Sequence, residues 1–184
     1  MSITALSSAI DRRPVLSAAV ITALDVGIVL LAEFAAKALL PAAQPDLIAL
    51  VIATVWVVAL VSALGWWDRI GFTSALQNPK LLILPAVVMF ALPLLGGANG
   101  MPLGSAALLV GAYLLVGFRE ETLFRGVILK AMESLGPWKS VLLAALFFGL
   151  AHATNFAVRA SAFLVLAQMV GATADAVGFG ALRM

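Results

Sequence analysis

Apolar residues occur along this chain in long, nearly unbroken runs rather than in the alternation of a half-buried strand or the single stripe of a surface helix. Six such runs stand out, at roughly 15–39, 47–67, 81–96, 103–130, 138–155 and 160–182. Most are long enough to cross a hydrocarbon core of about 30 Å at about 1.5 Å per helical residue. The third is the shortest and contains Pro85 and Pro93, which predict a kink or tilt. The breaks fall where Pro and Gly cluster: Pro41 to Pro45, Gly96-Gly97 to Gly100, and Gly136-Pro137. No internal repeat or low-complexity tract interrupts the pattern. It predicts an all-α, polytopic transmembrane bundle of about six membrane helices, forming a single domain over residues 1–184.

Composition sharpens this picture. The chain is 184 residues long, 64% hydrophobic and only 11% charged, whereas soluble domains are about half apolar and about a quarter charged. With no cysteine, disulfides, thiolate nucleophiles and thiolate metal sites are excluded. Arg12 and Arg13 ahead of an apolar run imitate a signal peptide. The run from Val15 to Ala32 exceeds an ordinary signal core, so a retained first helix is expected. The net charge of +2 does not point to nucleic acid, because membrane chains carry Lys and Arg in their cytoplasmic loops. A cytoplasmic N-terminus puts Arg12, Arg13, Arg69, Lys80, Lys130, Lys139 and Arg183 inside, against Lys37 and Arg159 outside. Trp66, Trp67 and Trp138 then fall at the inner interface, where aromatic belts form. The Ala-rich, cysteine-free chain points to a bacterial cell (inner) membrane.

Against this background the polar residues of the fourth and fifth runs carry the chemistry. Glu120 and Glu121 lie inside an otherwise membrane-spanning segment, and carboxylates there are costly enough to be functional candidates by default. Glu120 lies 16 residues before Gly136, and His152, the single histidine, lies 16 residues after it. Two antiparallel helices turning at Gly136-Pro137 would bring both to the same depth, about 20 Å from the turn. Packed helices lie about 8–10 Å apart, so the two side chains can converge, and a carboxylate beside an imidazole is suited to activating a water. Glu121 and Arg125 are spaced i,i+4 for an ion pair that reduces the cost of burying both. Phe148 precedes His152 by one turn, where it can wall the site and orient the imidazole, and Asn155 can donate a hydrogen bond. Gly126 and Gly149 would permit close approach of the two helices.

Glu-Glu-x-x-x-Arg followed on the next helix by Phe-x-x-x-His resembles the CPBP group of intramembrane proteases. The group takes in CAAX-type prenyl endopeptidases and bacteriocin-processing or self-immunity proteins. The resemblance rests on Glu120-Glu121-Thr122-Leu123-Phe124-Arg125-Gly126, Leu135-Gly136-Pro137-Trp138 and Phe148 to His152. It is specific over about 118–155, extends through the sixth helix, and defines a motif-bearing core over 103–182. It implies hydrolysis of peptide bonds within the membrane, with Glu120 and His152 activating water and Glu121 and Arg125 in support. Its members are described both as zinc metalloproteases and as glutamate-dependent enzymes. A divalent metal, zinc, is therefore one implied cofactor, although one histidine and two glutamates make a poor ligand set. The implied partners are a membrane protein or peptide substrate and the lipid bilayer. The group also carries a further helix with a second histidine and, four residues on, an Asn or Asp. No second histidine precedes Met184, so a C-terminally truncated chain is the expectation.

Two other functional classes share these residues. A non-enzymatic immunity or scaffold protein would bind a partner through the same bundle, and a proton-coupled transporter component would relay protons through Glu120, Glu121 and His152. The aromatic of Phe-x-x-x-His favours the protease, since a proton relay has no need of it. Among the other ionisable residues, Glu33 and Lys37 are spaced for a pair. Asp25 reads chiefly as a helix–helix hydrogen bonder, or else as lining an access path. Asp175 is a candidate to face the same cavity as Glu120, although its spacing does not require it. Lys130, Glu133 and Lys139 read as a solvated rim around the turn.

Overall fold

A computed structural model describes residues 3–40, 44–73, 87, 100–157 and 161–182. Apart from Val87, the third apolar run with its prolines lies outside the described residues, as do Lys80, Arg159 and Arg183. Within them the chain is helical and no strand occurs. A short helix α1 (Ile3–Arg12) leads into α2 (Pro14–Leu39), followed by α3 (Pro45–Leu64), α4 (Leu103–Glu120), α5 (Pro137–Ala151) and α6 (Ala162–Leu182). The axis of α4 continues through a π-helical stretch, Glu121–Ile128, to Leu129–Ala131. Five helices among the described residues are long and apolar enough to cross a membrane, the longest being the 29-residue span Leu103–Ala131. The chain is an integral membrane protein.

Pro14, Pro45 and Pro137 each occupy a first helical position, where the missing N–H leaves no bond unmade. Large apolar side chains such as Leu31, Leu103, Phe163 and Val170 face outward, as a lipid-solvated surface requires. The packed interior is built largely from α3, the π-helical stretch and α5, with Val57, Val61, Leu123, Val127, Ile128 and Val141 almost fully buried. The α4 helix itself buries no residue, whereas Thr122 through Leu129 are all buried. Only the continuation of the fourth span beyond Glu121 enters the core.

The α1 helix, which the apolar pattern does not predict, folds back on the end of α3. Trp66 donates its indole N–H to Ser7 Oγ at 2.9 Å, and Arg69 pairs with Asp11 at 3.0 Å while lying over the Trp66 ring. Trp66 is therefore buried under α1 rather than exposed in a belt, while Trp138 remains exposed. The pairs Glu33–Lys37 and Lys130–Glu133 form as their spacing predicts.

The α5 helix packs most extensively against α6. Its Gly149 lies directly against that helix: a Cβ there would collide with Thr173 Oγ1 and sit 2.8 Å from the Met169 carbonyl oxygen. Gly126 faces Ile70. Neither glycine therefore serves the approach of α4 to α5 expected from sequence; each admits a neighbour outside that hairpin. Gly149→Ala should overpack this contact and destabilise the fold by about 1–3 kcal/mol. Gly171→Ala, with open space around it, should be neutral or slightly stabilising. Thermal unfolding in detergent checks the contrast.

Candidate active site

The hairpin that carries the site turns where the sequence places Gly-Pro. Gly136 has φ +88°, a conformation that costs glycine little, and Pro137 opens α5 immediately after it. Ser140 locks the turn: its buried hydroxyl lies 2.6 Å from the Met132 carbonyl and 2.7 Å from that of Gly136. Both carbonyls also accept backbone N–H groups, Met132 from Leu135 and Gly136 from Ser140 itself, so the hydroxyl adds a second contact at each. The hairpin is thereby fixed at its base, and the depth of residues along its two arms follows from rise per residue.

At the far end of those arms the backbone departs from the α-helix on both sides. Glu120 is the last α-helical residue before the π-helical stretch, in which the Leu129 N–H reaches back to the Phe124 carbonyl, i→i+5. His152 is the first residue after α5, where the chain tightens into a 3₁₀ segment, His152–Ala157. Such wide and tight turns recur at functional sites because they redirect side chains away from helical register. Both residues line one cavity of about 250 Å³. The arrangement expected from their equal distance from Gly136 is present.

The imidazole is held in two ways. Its Nδ1 lies 2.9 Å from the Phe148 carbonyl oxygen, which can only accept, so Nδ1 carries the proton, and in the neutral imidazole Nε2 presents a lone pair. The Phe148 ring meets the imidazole edge-on at 4.8 Å and Phe124 at 5.0 Å. Arg125 lies over the same Phe148 ring at 4.4 Å and pairs with Glu121 at 2.9 Å. That pair is asymmetric: the Arg125 side chain is 8% exposed and that of Glu121 55%. Glu121 thus anchors a buried guanidinium from the outside, and the guanidinium in turn fixes Phe148. Asn155 donates to Gln168 Oε1 of α6 at 2.8 Å, tying the 3₁₀ segment to the last helix.

The structure adds residues the sequence reading did not assign to the site. Asp25 of α2, 1% exposed, is ion-paired with Arg119, which precedes Glu120 and is 13% exposed. Both line the cavity, as do Thr154 and Gln168. The signal available in the sequence was a carboxylate and an amide each inside an apolar run, but the pairing of Asp25 with a residue 94 positions later has no local signature. The helix–helix contact expected of Asp25 is present, and the residue also lines the cavity. Asp175 is exposed and lies outside the cavity lining.

A zinc site needs three or four convergent protein ligands. Among the described residues no three of His, Asp and Glu gather as a potential metal site. Glu121 and Asp25 are each engaged with an arginine, which leaves Glu120 and His152. That donor set does not fit a protein-held zinc.

Residues 102–184 match the family model described as Rce1-like, type II CAAX prenyl endopeptidase. No curated protein and no solved structure matches the chain. The match begins at α4 and takes in Glu120, Arg125, Phe148 and His152, while Asp25 lies outside it. The site-bearing part of the chain, from residue 102 onward, is similar to the Rce1-like family, which is consistent with a CPBP-type protein.

Proposed function

We propose that this protein is an intramembrane endopeptidase in which Glu120 and His152 activate a water for attack on a peptide bond. The observation that carries the reading is the shared cavity: the buried-segment glutamate and the single histidine, 32 residues apart, line the same polar-walled space. In this reading Glu120 takes a proton from water and the hydroxide adds to the scissile carbonyl. The resulting tetrahedral adduct collapses with loss of the amine, which receives its proton from Glu120. His152 accepts a hydrogen bond from the water at Nε2, orienting a lone pair on oxygen toward the carbonyl carbon. Glu121 and Arg125 act through Phe148, which holds the imidazole. The substrate is a membrane protein or peptide, and the family description makes a farnesylated C-terminal peptide the first probe.

The reading is tested with protein reconstituted in liposomes, the farnesylated peptide and a panel of transmembrane peptides. Glu120→Gln and His152→Gln should each lower the cleavage rate by about 10²–10⁴-fold while the protein still inserts and folds. Undiminished cleavage by both variants would contradict the assignment, and biological protection surviving both would favour the non-enzymatic scaffold. With only Glu120 and His152 left uncommitted among the described residues, cleavage is expected to persist after treatment with a strong chelator. Activity lost on chelation and restored by zinc would show that a metal takes part.

A further inference from the structure

The cavity contains a fixed charge that the water-activating pair does not use. Hydrolysis of an amide puts a full negative charge on the carbonyl oxygen, and donors preorganised around that charge are usually the largest single contribution to catalysis. The donors on the cavity wall can be sorted by the bonds they already make. The Thr154 hydroxyl donates to the Ala151 carbonyl, the His152 Nδ1–H to the Phe148 carbonyl, and Asn155 to Gln168. Arg119 is the one permanent cation among the described residues of that lining. A guanidinium has five N–H groups, and here Nη2 donates to Asp25 while the buried Nε–H has no partner among the described residues.

Its partner explains how a cation can wait there. Asp25 comes from α2, outside the stretch that matches the family, and is 1% exposed. Only one of its carboxylate oxygens is bonded among the described residues. One carboxylate thus holds one guanidinium by a single edge, so that the rest of the fork remains directed elsewhere. A bidentate pair would have closed off the donors. Asp25 is almost fully buried, so displacing Arg119 would leave a buried carboxylate without its ion pair.

We propose that Arg119 is an oxyanion donor of this site and that Asp25 is the residue that positions it; the inference rests on the endopeptidase reading above. As Glu120 removes the proton from water and the new C–O bond forms, the carbonyl π pair moves onto oxygen. Arg119 donates N–H to that oxyanion. When the pair returns to carbon, the C–N bond breaks and the amine leaves with the proton carried by Glu120. Arg119 neither gains nor loses a proton, so its contribution exists only while the oxyanion does.

The test separates a catalytic arginine from a structural clamp. The double variant Asp25→Asn/Arg119→Gln removes both charges together and leaves neither buried alone. With the reconstituted protein and the substrate cleaved by wild type, kcat of this variant should fall by about 10²–10³-fold with KM little changed. Asp25→Asn alone should lower kcat less, again without a matching rise in KM. Wild-type kcat in the double variant would overturn the proposal and reduce the pair to a tether between α2 and α4. Should the double variant fail to insert, Arg119→Lys decides. It preserves the ion pair, so a tether leaves kcat intact, whereas an oxyanion donor with altered geometry loses it. Absence of cleavage by wild type against every probe overturns the endopeptidase reading and this inference together; cleavage by wild type with unaffected variants overturns this inference alone.

Discussion

Charges placed in hydrocarbon must be matched, and this constraint organises the functional half of the molecule. A charged side chain at the centre of a membrane span costs about 2.5–3.5 kcal/mol even on the gentlest scales. Within two turns of one span the chain carries Arg119, Glu120, Glu121 and Arg125. Three of the four are met in pairs: Arg119 by Asp25 across the bundle, Arg125 by Glu121 along its own helix. Glu120 makes no ion pair among the described residues, and it faces the cavity together with His152. The unmatched group is therefore the one that meets substrate and water in the proposed mechanism.

The pairs also set geometry. Arg125 cannot reach Glu121 and lie over Phe148 unless the fourth span and α5 keep one rotation about their axes. Phe148 then presents both its carbonyl and its ring edge to His152. The chain of contacts runs from an exposed carboxylate through a buried guanidinium and an aromatic ring to the imidazole. Each link is short and directional, and the turn at Gly136 with its Ser140 lock holds the two arms at the same register. Substitution of Glu121 or Arg125 would disturb His152 without touching it.

Much of this was legible in the sequence because it depends on spacing along one hairpin. The equal distances of Glu120 and His152 from Gly136, the i,i+4 interval of Glu121 and Arg125, and the turn between Phe148 and His152 are all local quantities that helix geometry converts into positions. The five described spans also follow from the apolar runs, with ends shifted by a few residues. What escaped was non-local or conformational. The Asp25–Arg119 and Asn155–Gln168 contacts join helices whose mutual rotation no interval encodes. The π-helical stretch after Glu120 looks like ordinary helix in composition, since Thr122 through Ile128 suit either form. Gly149 was assigned to the wrong neighbour for the same reason: a small residue announces a close approach but not by which helix.

The central claim is that a carboxylate on the fourth span and an imidazole after α5 converge on one water-accessible cavity inside the membrane. The absence of cysteine from the chain makes this directly measurable. In a Glu120→Cys/His152→Cys variant, both thiols should react with a small hydrophilic reagent, and a short bifunctional thiol reagent should bridge them within one chain, detected by intact mass. Bridging with a good yield is the result expected here. Two thiols that each react singly but are never bridged would contradict it, because the pair would then occupy separate places in the bundle.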